Sequence, residues 1–67
     1  MKITNLQDLG QKIKTTRKDL GISQTGLALA AGMGIRSIVE MENGTRNTGM
    51  YNVIKVCSLL GLDIEIN

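Results

Sequence analysis

Few side chains in this sequence are equipped for covalent chemistry. There is no histidine, and the lone cysteine, Cys57, sits at an apolar-face position of a helical stretch, where a thiol is far more often buried and inert than nucleophilic. The carboxylates are scattered, and the glycines of "GMGIRSIVEMENG", Gly32 to Gly44, follow no strand, so they are helix boundaries and not a nucleotide fingerprint. No Cys and His spacing resembles a zinc site. The reading is therefore of a non-enzyme with no cofactor and no metal. What remains is recognition chemistry. In the same stretch Ile35, Ile38 and Met41 keep the spacing of a short helix, while Arg36 and Glu40 fall on a different face. A guanidinium fork and a carboxylate bind by charge-assisted hydrogen bonds.

A helix of two turns is not stable alone, so other elements must hold it. Thr4 or Asn5 can cap a first helix over about 6 to 19, with Leu6, Leu9, Ile13 and Leu20 as apolar positions and Gly21 as its stop. Ser23 can cap a second, "QTGLALAA", which buries Leu27, Ala28 and Ala31 and stops at Gly32. Three residues later the third helix runs over about 35 to 42 and ends at Asn43 and Gly44. Helix, tight glycine-containing turn and short helix make a helix-turn-helix pattern. A fourth helix over about 49 to 60 presents Met50, Val53, Ile54, Cys57 and Leu60 and ends at Gly61. The tail "LDIEIN" alternates like a strand, with Leu62, Ile64 and Ile66 on one side. No second strand is evident in the chain, so the expectation is pairing with the same strand of a second copy, the alternative being a frayed tail.

Composition narrows the class further. A chain of 67 residues is one small domain, residues 1–67, with a helical core over 6–61 and a strand over 62–66. It buries only about 60% of its unfolded surface, so help from a partner subunit is plausible. Phe, Trp and Pro are absent and the core must be aliphatic, which suits packed helices. One cysteine rules out an intramolecular disulfide and fits a reducing setting. The N-terminal "MKITNLQDLG" lacks the apolar run of a signal peptide and no stretch suits a membrane span, so the expected location is cytoplasmic, with no membrane partner. The formal charge is +2, with the basic residues Lys12, Lys14, Arg17, Lys18, Arg36 and Arg46 in the middle of the chain. That is compatible with a polyanion, although solvated charge alone explains it too.

The run "RKDLGISQTGLALAAGMGIRSIVEMENGTRNTGMYNVIKVCSLLGL" resembles the helix-turn-helix family of phage repressors, Cro proteins and bacterial antitoxins, the XRE or Cro/C1 type. The match spans about Leu9 to Leu62, and its most specific pieces are "SQ", "LA" and "AG" at the family's offsets and "EMENG" closing the recognition helix. The alternating tail after "LGL" resembles more narrowly the small Hip-type antitoxins, whose C-terminal strands pair across a dimer. The resemblance implies an all-α, lambda repressor-like bundle with a short C-terminal β-strand pairing across a dimer.

It also assigns tasks to residues. Gln24, opening the second helix, would hydrogen-bond a phosphate, and the third helix would enter the major groove N-terminus first. Ile38 and Met41 would pack inward, leaving Gly34, Ile35, Arg36, Ser37 and Glu40 toward DNA. Arg36 could bond guanine O6 and N7, worth about 1 to 3 kcal/mol of discrimination. Ile35 would meet a thymine methyl, and Ser37 a base or phosphate. Glu40 could accept from cytosine N4 or orient Arg36 from one turn away, and an exposed Arg36–Glu40 pair is the bland alternative. Asn43, Thr45, Arg46 and Asn47 would follow the sugar-phosphate backbone, although Asn-Gly marks an ordinary turn in any protein. Arg17 and Glu42 would form a structural ion pair, while Lys12 and Lys14 read as solvated.

Three positions depart from the family pattern. Gly26 replaces an acidic or polar residue, Gly34 the usual Ser or Thr cap, and Thr48 a common proline. The expected function is repression as a homodimer on a palindromic operator in double-stranded DNA, with a Hip-type kinase toxin as a candidate partner. The alternatives are a phage Cro-like regulator, a module that chiefly restrains a toxin, and a helix-turn-helix used only for protein contacts.

Overall fold

The computed structural model of the chain describes residues 2–3, 5–45, 49–63 and 65–66, with the backbone alone described at 2–3 and 65–66. In chain order the elements are β1 (Lys2–Ile3), α1 (Leu6–Asp19), α2 (Gln24–Ala31), α3 (Ile35–Asn43), α4 (Met50–Leu59) and β2 (Glu65–Ile66). All four expected helices are present, and their bounds follow local chemistry. Asn5 Oδ1 accepts from the Asp8 N–H at 2.7 Å, and Ser23 Oγ accepts from the Gly26 N–H at 2.9 Å. Each cap satisfies an amide that the first helical turn leaves without a partner. α3 ends where Gly44 turns left-handed at φ 66°, which lets the Gly44 and Thr45 N–H groups bond back to the Met41 and Glu40 carbonyls.

The core is drawn from every helix. Ile13, Leu27, Ile38, Val56 and Cys57 are fully enclosed, with Leu9, Ala28, Ala31, Met41, Val53 and Leu60 around them. Burial of the apolar stripe of α3 is what makes so short a helix stable, since propensity alone cannot. Burial also pushes the Cys57 thiol up to about 11, so the nucleophilic thiolate is scarce at neutral pH. Among the described residues no group of acidic, histidine or cysteine side chains could hold a metal ion, and no helix is long and apolar enough to cross a membrane.

α1 and α3 meet unusually closely. A Cβ on Gly10 would stand 2.4 Å from the carbonyl oxygens of both Met41 and Glu42, so only glycine admits the last turn of α3 at this distance. Gly44 is seated against the backbone of Leu6 and Gln7, 2.8 Å from Gln7 Cα by the same construction. Beyond them, toward the end of α1, lies a buried ion pair. Arg17 Nε donates to Glu42 Oε2 at 2.6 Å and Nη2 to Oε1 at 3.1 Å, with the two side chains 8% and 1% exposed. The pair joining helix one to the end of helix three is therefore present as the family resemblance implies.

Three sequence expectations need correction. The tail is not without a partner in its own chain: β2 pairs in parallel with β1, Lys2 opposite Glu65 and Ile3 opposite Ile66. Two residues carry no readable periodicity, so the N-terminal strand left no signal. The strand is also shorter than 62–66. Leu62 precedes it and packs against the core, Ile64 lies outside the described residues, and Ile66 lies in β2. Second, Met50 and Ile54 are not buried but 53% and 55% exposed, and Val56 fills the core in their place. Two apolar stripes of α4 share Val53, Cys57 and Leu60, and packing against α2 selected the one through Val56. Third, Leu6 and Leu20, at the ends of α1, project past the core and are exposed.

Gly10→Ala adds one methyl where two carbonyl oxygens already stand. Urea unfolding followed by circular dichroism should show a loss of about 3 kcal/mol, the upper part of the overpacking range, despite alanine's better helix propensity. An unchanged midpoint would mean that α1 and α3 do not pack this closely.

Candidate nucleic-acid interface

α3 is amphipathic in a useful sense: its buried side fixes it and its other side is open. Ile38 and Met41 face the core, whereas Gly34, Ile35 and Arg36 are exposed, Ile35 by 48%. Among the described residues nothing engages the Arg36 guanidinium, so its five donors in a rigid fork are available. Ser37 and Glu40 are half-buried at the edge of the same surface, and Asn43 ends the helix in an exposed position. Thr45 is exposed beyond the cap, its N–H bonded to the Glu40 carbonyl at 3.3 Å. Arg46 and Asn47 lie outside the described residues.

The helix start is open in a second way. Gly34 takes the cap position with extended backbone, φ −72° and ψ 150°, and no side chain caps the helix. The Ser37 N–H bonds back to the Gly34 carbonyl at 3.1 Å, which leaves the Ile35 and Arg36 amides at the outward-facing, positive end of the helix dipole. Two such amides beside one cation suit an anionic, hydrogen-bonding partner.

Gln24 belongs to the other end of α3. It is half-buried at the first position of α2, and its Nε2 donates to Glu42 Oε1 at 3.2 Å. The first residue of α2 is thereby set beside the last turn of α3, near Asn43 and Thr45. Gly34, Ile35 and Arg36 cluster at the opposite end, about 13 Å away for a nine-residue helix. The Gln24–Glu42 bond was not foreseeable from spacing, because it joins residues 18 apart across two helices. Lys55 escaped notice too: its Nζ donates to the Ala31 carbonyl at 3.1 Å and sits 5.0 Å from the Tyr51 ring centroid. It fastens the end of α2, and hence the turn before α3, to α4.

Comparisons with known proteins agree with this geometry. A helix-turn-helix family model matches residues 13–67. An HTH-type transcriptional regulator of Sinorhizobium fredii, y4mF, is 36% identical over 59 residues, covering 88% of this chain and 78% of the relative. A HipB variant in an O2 20mer complex superposes with a TM-score of 0.84 at 27% identity, covering 100% of this chain and 93% of that one. The restriction-modification controller protein C.AhdI of Aeromonas hydrophila gives 0.79 at 29% identity, covering 87% of this chain and 88% of that one. The clp gene regulator ClgR of C. glutamicum gives 0.77 at 26%, covering 85% and 74%.

The open cap is testable in isolation. A Cβ at Gly34 meets nothing within 4 Å and the backbone there is extended, so Gly34→Ser fits without strain and supplies a capping hydroxyl. Its melting temperature should rise by about 2 °C, corresponding to a few tenths of a kcal/mol. A lower melting temperature would mean that Gly34 needs its conformational freedom.

The matched family model, the relative and the exposed start of a short, well-anchored second helix lead to one conclusion: the chain belongs to the helix-turn-helix family of XRE (Cro/C1) type, DNA-binding regulators of transcription.

Proposed function

We propose that the chain represses transcription as a homodimer on a palindromic operator, by occupying the DNA and blocking polymerase. The observation that carries this reading is the exposed start of α3, where, among the described residues, nothing engages Arg36 beside the half-exposed Ile35 while the reverse face is locked in the core. In this reading Ile35, Arg36, Ser37 and Glu40 address base edges. Gln24, Gly34, Asn43, Thr45, Arg46 and Asn47 address the sugar-phosphate backbone, setting register and affinity rather than sequence choice. Arg36 reads guanine and Ile35 a neighbouring thymine methyl.

Three features support the dimer. The protomer measures 29 × 22 × 18 Å, enough for one half-site, and two half-sites lie about 34 Å apart. The outward side of α4 leaves Met50, Tyr51, Ile54 and Leu59 exposed, an apolar surface that a second copy would cover. The two-stranded ribbon also keeps an open edge on β2, so the tail could still pair across a two-fold axis. The full-length likeness to HipB favours a second task, that of antitoxin and autorepressor in an operon with a Hip-type kinase toxin. Repression and toxin restraint are compatible in one chain.

Incubating the chain with a random duplex pool at near-physiological salt and sequencing what is retained tests the reading. A two-fold symmetric site should be enriched, with a guanine next to a thymine in each half. Arg36→Ala should lose about 1 to 3 kcal/mol of discrimination at one symmetric pair of positions. Binding that shows no enrichment and merely fades with salt would contradict the specific operator.

A further inference from the structure

We infer that Glu42 is a positioning residue for DNA binding: it holds the Gln24 amide nitrogen-first, so that the second N–H of that nitrogen is offered to a phosphate oxygen. The inference rests on the operator reading above and adds a cause for the orientation of one of its contacts.

An ionised carboxylate only accepts, so whatever side chain approaches Glu42 must present a donor. Its two oxygens receive three hydrogen bonds, two from Arg17 at 2.6 and 3.1 Å and one from Gln24 Nε2 at 3.2 Å. Arg17 is itself tethered, its Nη1 donating to the Ile22 carbonyl at 2.8 Å in the turn before α2. Glu42 is 1% exposed at its side chain and has no room to swing. A continuous chain of hydrogen bonds therefore runs from the α1–α2 turn through Arg17 and Glu42 to the first side chain of α2.

An amide free to rotate would offer a phosphate its oxygen as readily as its nitrogen, and would lose rotamer freedom on binding. Here the choice is made in the folded protein. Fixing one rotamer-rich side chain in advance is worth about two- to tenfold in affinity. Charge by itself points the other way, because a carboxylate near a phosphate repels it.

That opposition supplies the test. Affinity for a duplex carrying the selected operator is measured by fluorescence anisotropy for the wild type, Gln24→Ala, Glu42→Gln and the double variant, each verified as folded at the assay temperature. Glu42→Gln removes a negative charge, so it strengthens binding if Glu42 acts only through its field. The positioning role predicts weakening of about two- to tenfold, with the double variant no weaker than the weaker single one. Tighter binding by Glu42→Gln, or losses that multiply in the double variant, overturns the inference and leaves the operator reading intact. A wild type that retains no duplex overturns both. Should Glu42→Gln fail to fold, Glu42→Asp takes its place: it keeps the charge but withdraws the carboxylate from Gln24, so the positioning role predicts weaker binding and a role through the field alone predicts unchanged binding. In the free wild type, nuclear magnetic resonance should show one Gln24 side-chain amide proton protected from exchange, and two equally labile protons would contradict the bond.

Discussion

The buried pair between Arg17 and Glu42 is the contact on which the arrangement of this small domain turns. Its Coulombic attraction is not free stability, because both ions leave water, and a buried pair of this kind can be matched by well-packed apolar residues. Its hold lies in the asymmetry. Once the pair is enclosed, losing either partner strands a charge at a cost of about 3 to 5 kcal/mol, so states that separate α1 from the end of α3 are strongly disfavoured. Gly10 and Gly44 act on the same junction by steric means, letting backbone meet backbone where a side chain would wedge the helices apart.

That junction explains how a helix of nine residues is held rigid. α3 is anchored at its C-terminal end by Glu42 and Gly44 and along its middle by Ile38 and Met41. Its N-terminal end, capped by no side chain, is the part left open. Rigidity and exposure thus come from different ends of one helix. A partner that approaches the open end meets donors already oriented, which is the condition under which a few polar contacts can discriminate sequence. Lys55 completes the frame from the other side by holding the end of α2 to α4.

Much of this was legible in the sequence because the chain is punctuated. Asn5, Ser23, Gly32 and Gly44 mark helix ends with residue types whose chemistry is local, and the helix bounds follow them closely. Ile38 and Met41 also read correctly as inward, and the motif resemblance supplied the Arg17–Glu42 pair. What stayed hidden depends on tertiary placement. Met50 and Ile54 belong to a stripe as regular as the one that is buried, and periodicity cannot choose between two that overlap. Gly10 escaped notice because the atoms that demand a glycine there lie 31 and 32 residues away, at Met41 and Glu42. β1 is too short to show a pattern and is defined only by its pairing with β2. Ile35, Arg36, Ser37 and Glu40 were legible as one surface because they stand off the buried Ile38 and Met41 stripe.

A crystal structure of the chain bound to a duplex it selects tests the central claim most directly, that α3 is held by α1 in order to present its N-terminal end to base edges. The account predicts α3 in the major groove N-terminus first, Arg36 bonded to a guanine, Gln24 on a phosphate, and the Arg17–Glu42 pair unchanged from the free protein. DNA held instead by the lysines of α1 or the outward side of α4, with Arg36 in solvent, would contradict it.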